Sequence, residues 1–478
     1  MPPKTVSAVI AVDGSRLGAL ISRDVIGGES APQVQNNSSA WQRAAYASVP
    51  LAFATYGDDF YHWQINASCT HTKGQPPQPS PVDSSLDSFE KYIAQPLHLD
   101  VLVHVPLGTD PTCTKGANPD EAAAWVDHEN NVMHYGIKYW ELGLEPYAPD
   151  NGDFRTPPLT ENGPEYAKLS KAFSTAMKAK DPSIKVGVAI SPGYQDTRTE
   201  TFDATTLAQA SYDFIIVSLG PITLPVVPPP DAELIDDGPA SLDATIEHIR
   251  AELTKAGKPN TPIFADDFTS QLGSFEDQQT VSIVDGLYTG EALADVLERG
   301  IAGTVWPTIT GPSCDSITPV KGVYGWQTFA TNDLFSIGKP PGCPANIPPL
   351  DTLYPSARAY QLAALFARAG NRMLGATVVN AAPGIRAYAA TQGSHGYSIF
   401  LFNLNESTSA RALVQFSNVR GTAFAATSTT YGRAQYDQSR YGIWSPPLVK
   451  RLGSFARSFD VTLPEWSMSV IQLAQTSP

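Results

Sequence analysis

Eight short runs of β-forming residues alternate with amphipathic helical segments over about 340 residues, and this alternation limits the folds open to the chain. Strands that alternate with helices favour a parallel sheet with helical crossover connections. Eight such units predict a (β/α)8 TIM barrel with long loops after the strands, and a doubly wound open sheet is the competing topology. The predicted strands are Asp24–Gly28, Val49–Ala54, Asp100–Val105, Lys138–Leu142, Ile184–Ile190, Phe214–Ser218, Pro262–Ala265 and Gly303–Trp306.

Helix-start signals lie between these strands. Asn118 precedes Pro119 and two acidic residues, which is the pattern of an N-cap, a proline at the first helical position and acids in the first turn. A second helix is predicted after Ser241, where apolar residues recur at helical spacing, and Gly257 can end it.

The pattern changes after a helix predicted over Pro355–Ala367. Strands separated by turn residues follow from about Gly375, which predicts an antiparallel β-sandwich. Val6–Val12 alternates like a strand and is expected to join it. We therefore predict a barrel domain over residues 15–370 and a β-sandwich domain from residues 1–14 and 371–478. The predicted sandwich strands include Ile385–Ala389, Tyr397–Asn403, Ala410–Phe416, Phe459–Leu463 and Ser467–Leu473.

Composition excludes several classes of function. The formal net charge is −15 and charged residues make up 17% of the chain, so a nucleic-acid or anionic-membrane partner is disfavoured. No apolar run reaches the length of a membrane span. No HExxH, P-loop or GxGxxG motif occurs, so no cofactor and no metal are expected. The N-terminus does not read as a signal peptide, although Met1 could follow removal of a leader.

Four cysteines lie in loop-like stretches without metal-binding spacing. This favours two disulfides and an oxidising compartment, so we expect a secreted or periplasmic protein. The order in the chain suggests Cys69–Cys113 and Cys314–Cys343 among three pairings, and four unpaired thiols are the alternative.

Two carboxylates occupy the positions at which barrel enzymes carry out catalysis. Active sites in such barrels lie at the C-terminal ends of the strands. Glu145 follows the fourth predicted strand and Asp267 follows the seventh. Cleavage of a glycosidic bond needs one carboxyl group on each side of that bond. The alternative is that each acid is a solvated loop residue.

The fourth-strand segment also resembles a known family. Lys138–Tyr147 (KYWELGLEPY) is similar to the acid/base motif of clan A retaining glycoside hydrolases, in which Trp-Glu-Ile-Gly-Asn-Glu ends the fourth strand. Ile263–Ser270 resembles the nucleophile strand, usually Thr-Glu-Phe-Asn. The resemblance is closest to the α-L-arabinofuranosidase and β-xylosidase-like branch with a trailing β-sandwich. It implies that Glu145 is the acid/base and Asp267 the nucleophile, and that the partner is a carbohydrate.

Several motif positions depart from that family. Leu144 replaces an Asn that contacts the sugar, and Asp267 replaces a Glu that is longer by one methylene. Ser218 follows the sixth strand where His or Tyr is usual. The sequence predicts hydrolysis of a poly- or oligosaccharide by two carboxylates, and a non-hydrolytic glycan-binding protein is the alternative.

Other residues near the predicted strand ends are candidates for substrate binding. Trp306 is a candidate stacking platform, with core packing as the alternative. His104 has a hydrogen-bonded core position as its alternative. Strand alternation predicts that only one of Asp266 and Asp267 faces the mouth. The remaining candidates are Tyr147, Asp59, His62, Tyr324 and Trp326.

Overall fold

The structure is a computed structural model. Among the residues that it describes, no helix combines the length and apolarity needed to cross a membrane. The described residues are 6–30, 48–149, 152–192, 197–220, 228–270, 277–307, 315–339, 343–344, 346–379, 383–394, 396–421 and 423–476.

The described strands form one parallel sheet, one large mixed sheet and two small sheets of two and three strands. In chain order they are β1 Val6–Leu20, β2 Gly27–Ser30, β3 Phe53–Tyr56, β4 Tyr61–His62, β5 Ala67–Ser68, β6 Gln78–Pro79, β7 Asp100–Val105, β8 Tyr139–Leu142, β9 Lys185–Ile190, β10 Phe214–Ser218, β11 Ile263–Asp266, β12 Gly303–Thr304, β13 Asp315–Ser316, β14 Phe329–Ala330, β15 Arg372–Val379, β16 Ile385–Gln392, β17 Gly396–Asn403, β18 Ala410–Ser417, β19 Phe424–Gly432, β20 Leu448–Phe455, β21 Ser458–Leu463 and β22 Ser467–Gln475.

The α-helices lie mainly between the strands of the parallel sheet. They are α1 Leu86–Phe89, α2 Gln95–Leu97, α3 Pro119–Val126, α4 Gly163–Lys180, α5 Thr197–Gln209, α6 Asp231–Asp236, α7 Gly238–Lys255, α8 Ile283–Glu298, α9 Pro355–Phe366 and α10 Arg433–Tyr436. The predicted start of α3 is confirmed, because the Asn118 side chain accepts a hydrogen bond from the backbone N–H of Asp120 at 2.9 Å.

The parallel sheet forms the predicted barrel. Its described strands are hydrogen-bonded in the order β2, β3, β7, β8, β9, β10, β11 and β12. Parallel bridges from Asp24 to Gly303 and from Gly28 to Trp306 join the first strand region to the last. The prediction of a (β/α)8 barrel is therefore confirmed, and the carboxyl ends of all eight strands surround one mouth.

The mixed sheet contains nine strands in the described part of the chain. β1 runs parallel to β18 and antiparallel to β15, and the other pairings are antiparallel. Tyr397 on β17 contacts Phe416 on β18 at a ring distance of 6.0 Å, although three strands separate them in the sheet order. The sheet therefore closes over its own apolar core, as in a sandwich. The domain limits stay a prediction; β1 remains paired with β15 as far as Leu20, which favours entry into the barrel after that residue.

One of the two predicted disulfides is described in full. Cys69 and Cys113 are bonded, which confirms that pair. Cys343 is also disulfide-bonded, and Cys314 lies outside the described residues.

Candidate active site

Glu145 lies three residues after the end of β8, and the backbone turns sharply there. Gly143 has a positive φ of 76° and donates its N–H to the carbonyl of Val105 at 2.9 Å. Glu145 itself has a φ of 45°, and its carbonyl accepts a hydrogen bond from Ala148 at 2.8 Å. Non-glycine residues with positive φ are uncommon and often occur at functional sites.

Asp267 has the same backbone conformation at the end of β11. Its φ is 46°. The next residue, Phe268, donates its N–H to the carbonyl of Val305 at 2.9 Å, which holds the turn against the eighth barrel strand region. Both predicted catalytic residues therefore occupy left-handed backbone just beyond a strand end, and both side chains are half-buried.

Ser218, at the end of β10, lies between these two carboxyl groups. Its hydroxyl donates to Glu145 Oε1 at 2.5 Å, and its interaction with the Asp267 side chain lowers the pKa of that acid. Tyr147 donates its phenol hydroxyl to the same Glu145 oxygen at 2.8 Å. Tyr147 is 3% exposed and contacts the Glu145 carboxyl group, as its place two residues after that acid allows, and its contact to substrate stays a prediction.

Below the mouth, the barrel interior is layered. Phe53, Tyr139, Phe214 and Phe264 form an aromatic layer near the N-terminal ends of the strands, with Phe264 5.0 to 5.4 Å from the other three ring centres. Side chains two residues apart on a strand share a face. Glu141 and Asp266 follow Tyr139 and Phe264 by two residues and therefore lie above this layer.

His104, on β7, completes the second layer. Its Nδ1 lies 2.8 Å from Glu141 Oε2. Ligand-type atoms of His104, Glu141 and Asp266 all lie within 4.8 Å of one another. All three side chains are buried, with exposures of 2%, 0% and 7% respectively. His104 is therefore an interior residue, in line with the alternative given for it above.

The crowding of acids disfavours their ionised forms. Burial, then repulsion from Asp266, Glu145 and Glu141, raises the pKa of Asp267 well above its usual value. Burial also raises the pKa of Asp266 to about 7, opposed by attraction to His104. Burial and the charge of Glu145 raise the pKa of Glu141. Asp266 lies inside the barrel and Asp267 lies past the strand end, and the charge of Glu145 raises the pKa of both; that only one of them faces the mouth stays a prediction.

Asp59 holds the loop that carries Glu145. It accepts hydrogen bonds from the backbone N–H groups of Leu107, at 3.3 Å, and Leu144. Burial raises the pKa of Asp59 to about 8. Asp59 also lines a cavity of about 200 Å³ beside Pro146. The Leu144 side chain lines a narrow crevice next to Glu145, so an apolar group occupies the position of the family's Asn.

Two predicted binding residues lie in the core instead. Trp306 is 1% exposed, donates its indole N–H to the carbonyl of Asn332 at 2.5 Å and packs edge-on against Tyr360. A stacking platform needs an exposed face, so that prediction is corrected. His62 is fully buried, with its ring nitrogens 3.0 Å from Glu121 Oε1 and 3.1 Å from Thr109 Oγ1.

Tyr324 and Trp326 contact the C-terminal part of the chain. Tyr324 donates its hydroxyl to Asp437 at 2.5 Å and packs against Trp466. Trp326 packs against Tyr436 with its ring tilted by 35°, at a ring distance of 4.5 Å. The structure therefore uses these two aromatic residues to join the loop after the eighth strand to the sandwich side of the molecule.

Sequence reasoning missed two contributors to the site. The sequence presents Ser218 only as a departure from the family, and it assigns no role to Glu141, which lies within the fourth predicted strand. The period-two spacing of Tyr139 with Glu141, and of Phe264 with Asp266, is a signal that places both acids inside the barrel.

Comparisons with known proteins agree with this architecture. No family model and no curated protein matches the chain. The α-L-arabinofuranosidase from Thermotoga maritima, solved with arabinose, is 14% identical, with a TM-score of 0.70 over 98% of this chain and 100% of that chain. The GH51 arabinofuranosidase from Xanthomonas axonopodis pv. citri is 15% identical, with a TM-score of 0.67 over 98% and 100%.

A third similar structure belongs to another family. The Paenibacillus polymyxa xyloglucanase from glycoside hydrolase family 44 is 14% identical, with a TM-score of 0.64 over 98% of this chain and 100% of that chain. The chain therefore has the fold of clan A glycoside hydrolases, a barrel followed by a β-sandwich. At this identity the resemblance is confirmed at the level of fold.

Proposed function

We propose that this protein is a glycoside hydrolase that cleaves a poly- or oligosaccharide with Glu145 and Asp267. One observation carries the proposal: carboxyl groups from the ends of the fourth and seventh barrel strands both interact with the side chain of Ser218. Catalytic groups in barrel enzymes come from the ends of different strands. The fold shared with arabinofuranosidases and a xyloglucanase supports the same reaction class.

Ser218 connects the two carboxyl groups in a way that suits their roles. A serine hydroxyl has one proton to donate, and that proton is directed to Glu145. Asp267 is the group that holds a proton to pass on, because burial and the neighbouring carboxylates raise its pKa well above the usual value, although the interaction with Ser218 lowers it. Proton transfer along Asp267, Ser218 and Glu145 leaves Glu145 protonated as the general acid. It leaves Asp267 ionised, ready to attack the sugar or to activate water.

The distance between the two carboxyl groups indicates whether the anomeric configuration of the sugar is retained or inverted in the product. Glu145 and Asp267 both interact with Ser218, so their carboxyl groups lie on the same part of the mouth. Retaining pairs are about 5–5.5 Å apart and inverting pairs about 6.5–9.5 Å. Proton NMR of the first-formed product anomer distinguishes the two courses.

The proteins with similar structures suggest a substrate class. We propose a pentose-containing plant or microbial glycan, because the similar structures act on arabinosyl or xyloglucan substrates. Leu144 and Ser218 replace polar family residues, so the sugar contacts differ from those of that branch. The Cys69–Cys113 disulfide supports a secreted or periplasmic location.

The test is a screen of aryl α-L-arabinofuranosides, aryl β-D-xylosides and natural polysaccharides. Parent protein is compared with Glu145→Gln, Asp267→Asn and the control Glu247→Gln, whose side chain is 66% exposed. We expect the first two variants to lose at least a factor of about 10³ in kcat, in the range for acid/base catalysis, and the control to match the parent. Equal rates in all four proteins would overturn the proposal. Glycan binding by a parent that cleaves nothing would replace it with the binding-protein alternative.

A further inference from the structure

Beneath the mouth, the interior cluster of His104, Glu141 and Asp266 lacks the hydrogen bonds that buried polar groups normally make. Among the described residues, no hydrogen-bond partner is found for either carboxylate oxygen of Glu141 or for the Nδ1 of His104. His104 Nδ1 and Glu141 Oε2 are only 2.8 Å apart, but they are not aligned as donor and acceptor. Buried polar atoms without partners are rare and costly in native proteins.

We propose that this cluster is a binding site for one divalent transition-metal cation, with Zn²⁺ as the ion it suits best. Zinc binds histidine nitrogen and carboxylate oxygen at about 2.0–2.2 Å. On a tetrahedral Zn²⁺ ion two such ligands lie about 3.4 Å apart, so the 2.8 Å between His104 Nδ1 and Glu141 Oε2 would widen by about half an ångström on binding. The third ligand, on Asp266, lies within 4.8 Å of both.

The chemistry of the ligands selects the ion. An imidazole nitrogen favours zinc and similar transition metals over calcium or magnesium, which prefer oxygen ligands alone. A divalent cation also offsets two carboxylate charges in an interior that already faces Glu145 and Asp267. Glu141 and Asp266 line the same narrow crevice as Glu145.

The sequence carries no zinc motif because the three ligands come from three different strands. His104 is on β7, Glu141 on β8 and Asp266 on β11, and they meet only when the barrel closes. The proposal concerns binding and does not depend on hydrolysis.

The experiment uses tag-free full-length protein treated with EDTA and dialysed, then titrated with ZnCl₂ in a calorimeter, with CaCl₂ as the comparison ion. We expect one Zn²⁺ per chain and no matching Ca²⁺ binding. Glu141→Gln and His104→Gln, both close in size to the parent residues, are expected to weaken Zn²⁺ binding at least about a hundredfold. Circular dichroism checks that each variant is folded.

A second cluster provides the matched control. Asp87, His128 and Glu129 also place ligand-type atoms within 4.8 Å of one another, nearer the surface. Glu129→Gln is expected to bind Zn²⁺ as the parent does. No stoichiometric Zn²⁺ binding by the parent, parent-like binding by a folded Glu141→Gln or His104→Gln, or loss of binding in Glu129→Gln alone would each overturn the proposal.

Discussion

Replacement of Glu129 by glutamine tests how buried acids control the stability of this protein. Glu129 is 1% exposed; its Oε1 accepts the indole N–H of Trp125 at 3.0 Å, and its Oε2 has no described hydrogen-bond partner. Burial first, and then repulsion from Asp87, raises its pKa from 4.5 to about 9, although the Trp125 hydrogen bond lowers it. Glutamine has the shape of the neutral acid and cannot ionise.

The sign and size of the effect follow from proton linkage. Between pH 4.5 and 9 the folded protein keeps the Glu129 proton, whereas the unfolded chain releases it. The free energy of unfolding therefore falls as pH rises, by about 1.4 kcal/mol per pH unit for this group. From pH 5.5 to pH 8.5 the loss amounts to about 4 kcal/mol at most. Glu129→Gln removes that loss. Its free energy of unfolding relative to the parent should therefore rise by up to about 4 kcal/mol from pH 5.5 to pH 8.5.

The assay is urea unfolding followed by tryptophan fluorescence at pH 5.5 and pH 8.5. At each pH the free energy of unfolding of the variant is compared with that of the parent. Other buried acids contribute equally to both proteins and cancel in this difference. Glu247→Gln, at an exposed position, should show no such pH-dependent difference. If the free energy of unfolding of Glu129→Gln differs from that of the parent by the same amount at both pH values, Glu129 does not have the raised pKa described.

Three further predictions concern the candidate site and the disulfide. Ser218→Ala should lower kcat/KM about ten- to a hundredfold without loss of thermal stability, because a hydrogen bond to a charged group, here Glu145, is worth about 1.5–3 kcal/mol. In EDTA-treated protein, Asp266→Asn should move the acidic limb of the kcat/KM profile to lower pH, because it removes repulsion that raises the pKa of Asp267; an unchanged limb would contradict this. Cys69→Ser opens a disulfide between residues 44 apart and should cost about 4 kcal/mol of unfolding free energy, measured by denaturant titration.

The fold could be predicted from the sequence because it depends on local patterns. The seventh predicted strand, Pro262–Ala265, differs from β11 by one residue at each end, since a short apolar run marks a buried strand. Asn118 caps α3 as expected, because a cap is decided by neighbouring residues. Glu145 and Asp267 could also be named, because strand ends are readable in sequence.

The remainder of the site depends on contacts between distant segments. The alternation of strands and helices in the sequence predicts that Trp306 lies near a strand end. It gives no sign that Tyr360 of α9 packs against the Trp306 ring. The residue type of Glu145 gives no signal of its positive φ, and that of Asp267 gives only a weak one, because aspartate adopts this conformation more often than most non-glycine residues. The contact of Ser218 with both acids arises only when the sixth, fourth and seventh barrel strands are placed side by side.

Chemical rescue tests the central claim most directly, namely that Asp267 acts on the sugar while Glu145 protonates the leaving group. Asp267→Ala is assayed on an activated aryl glycoside, for which the leaving group needs no protonation, with and without sodium azide. The account predicts low activity that azide restores, with a glycosyl azide as the product, and no azide effect on the parent. Parent-like activity in Asp267→Ala, or a folded variant that azide does not rescue, would contradict it.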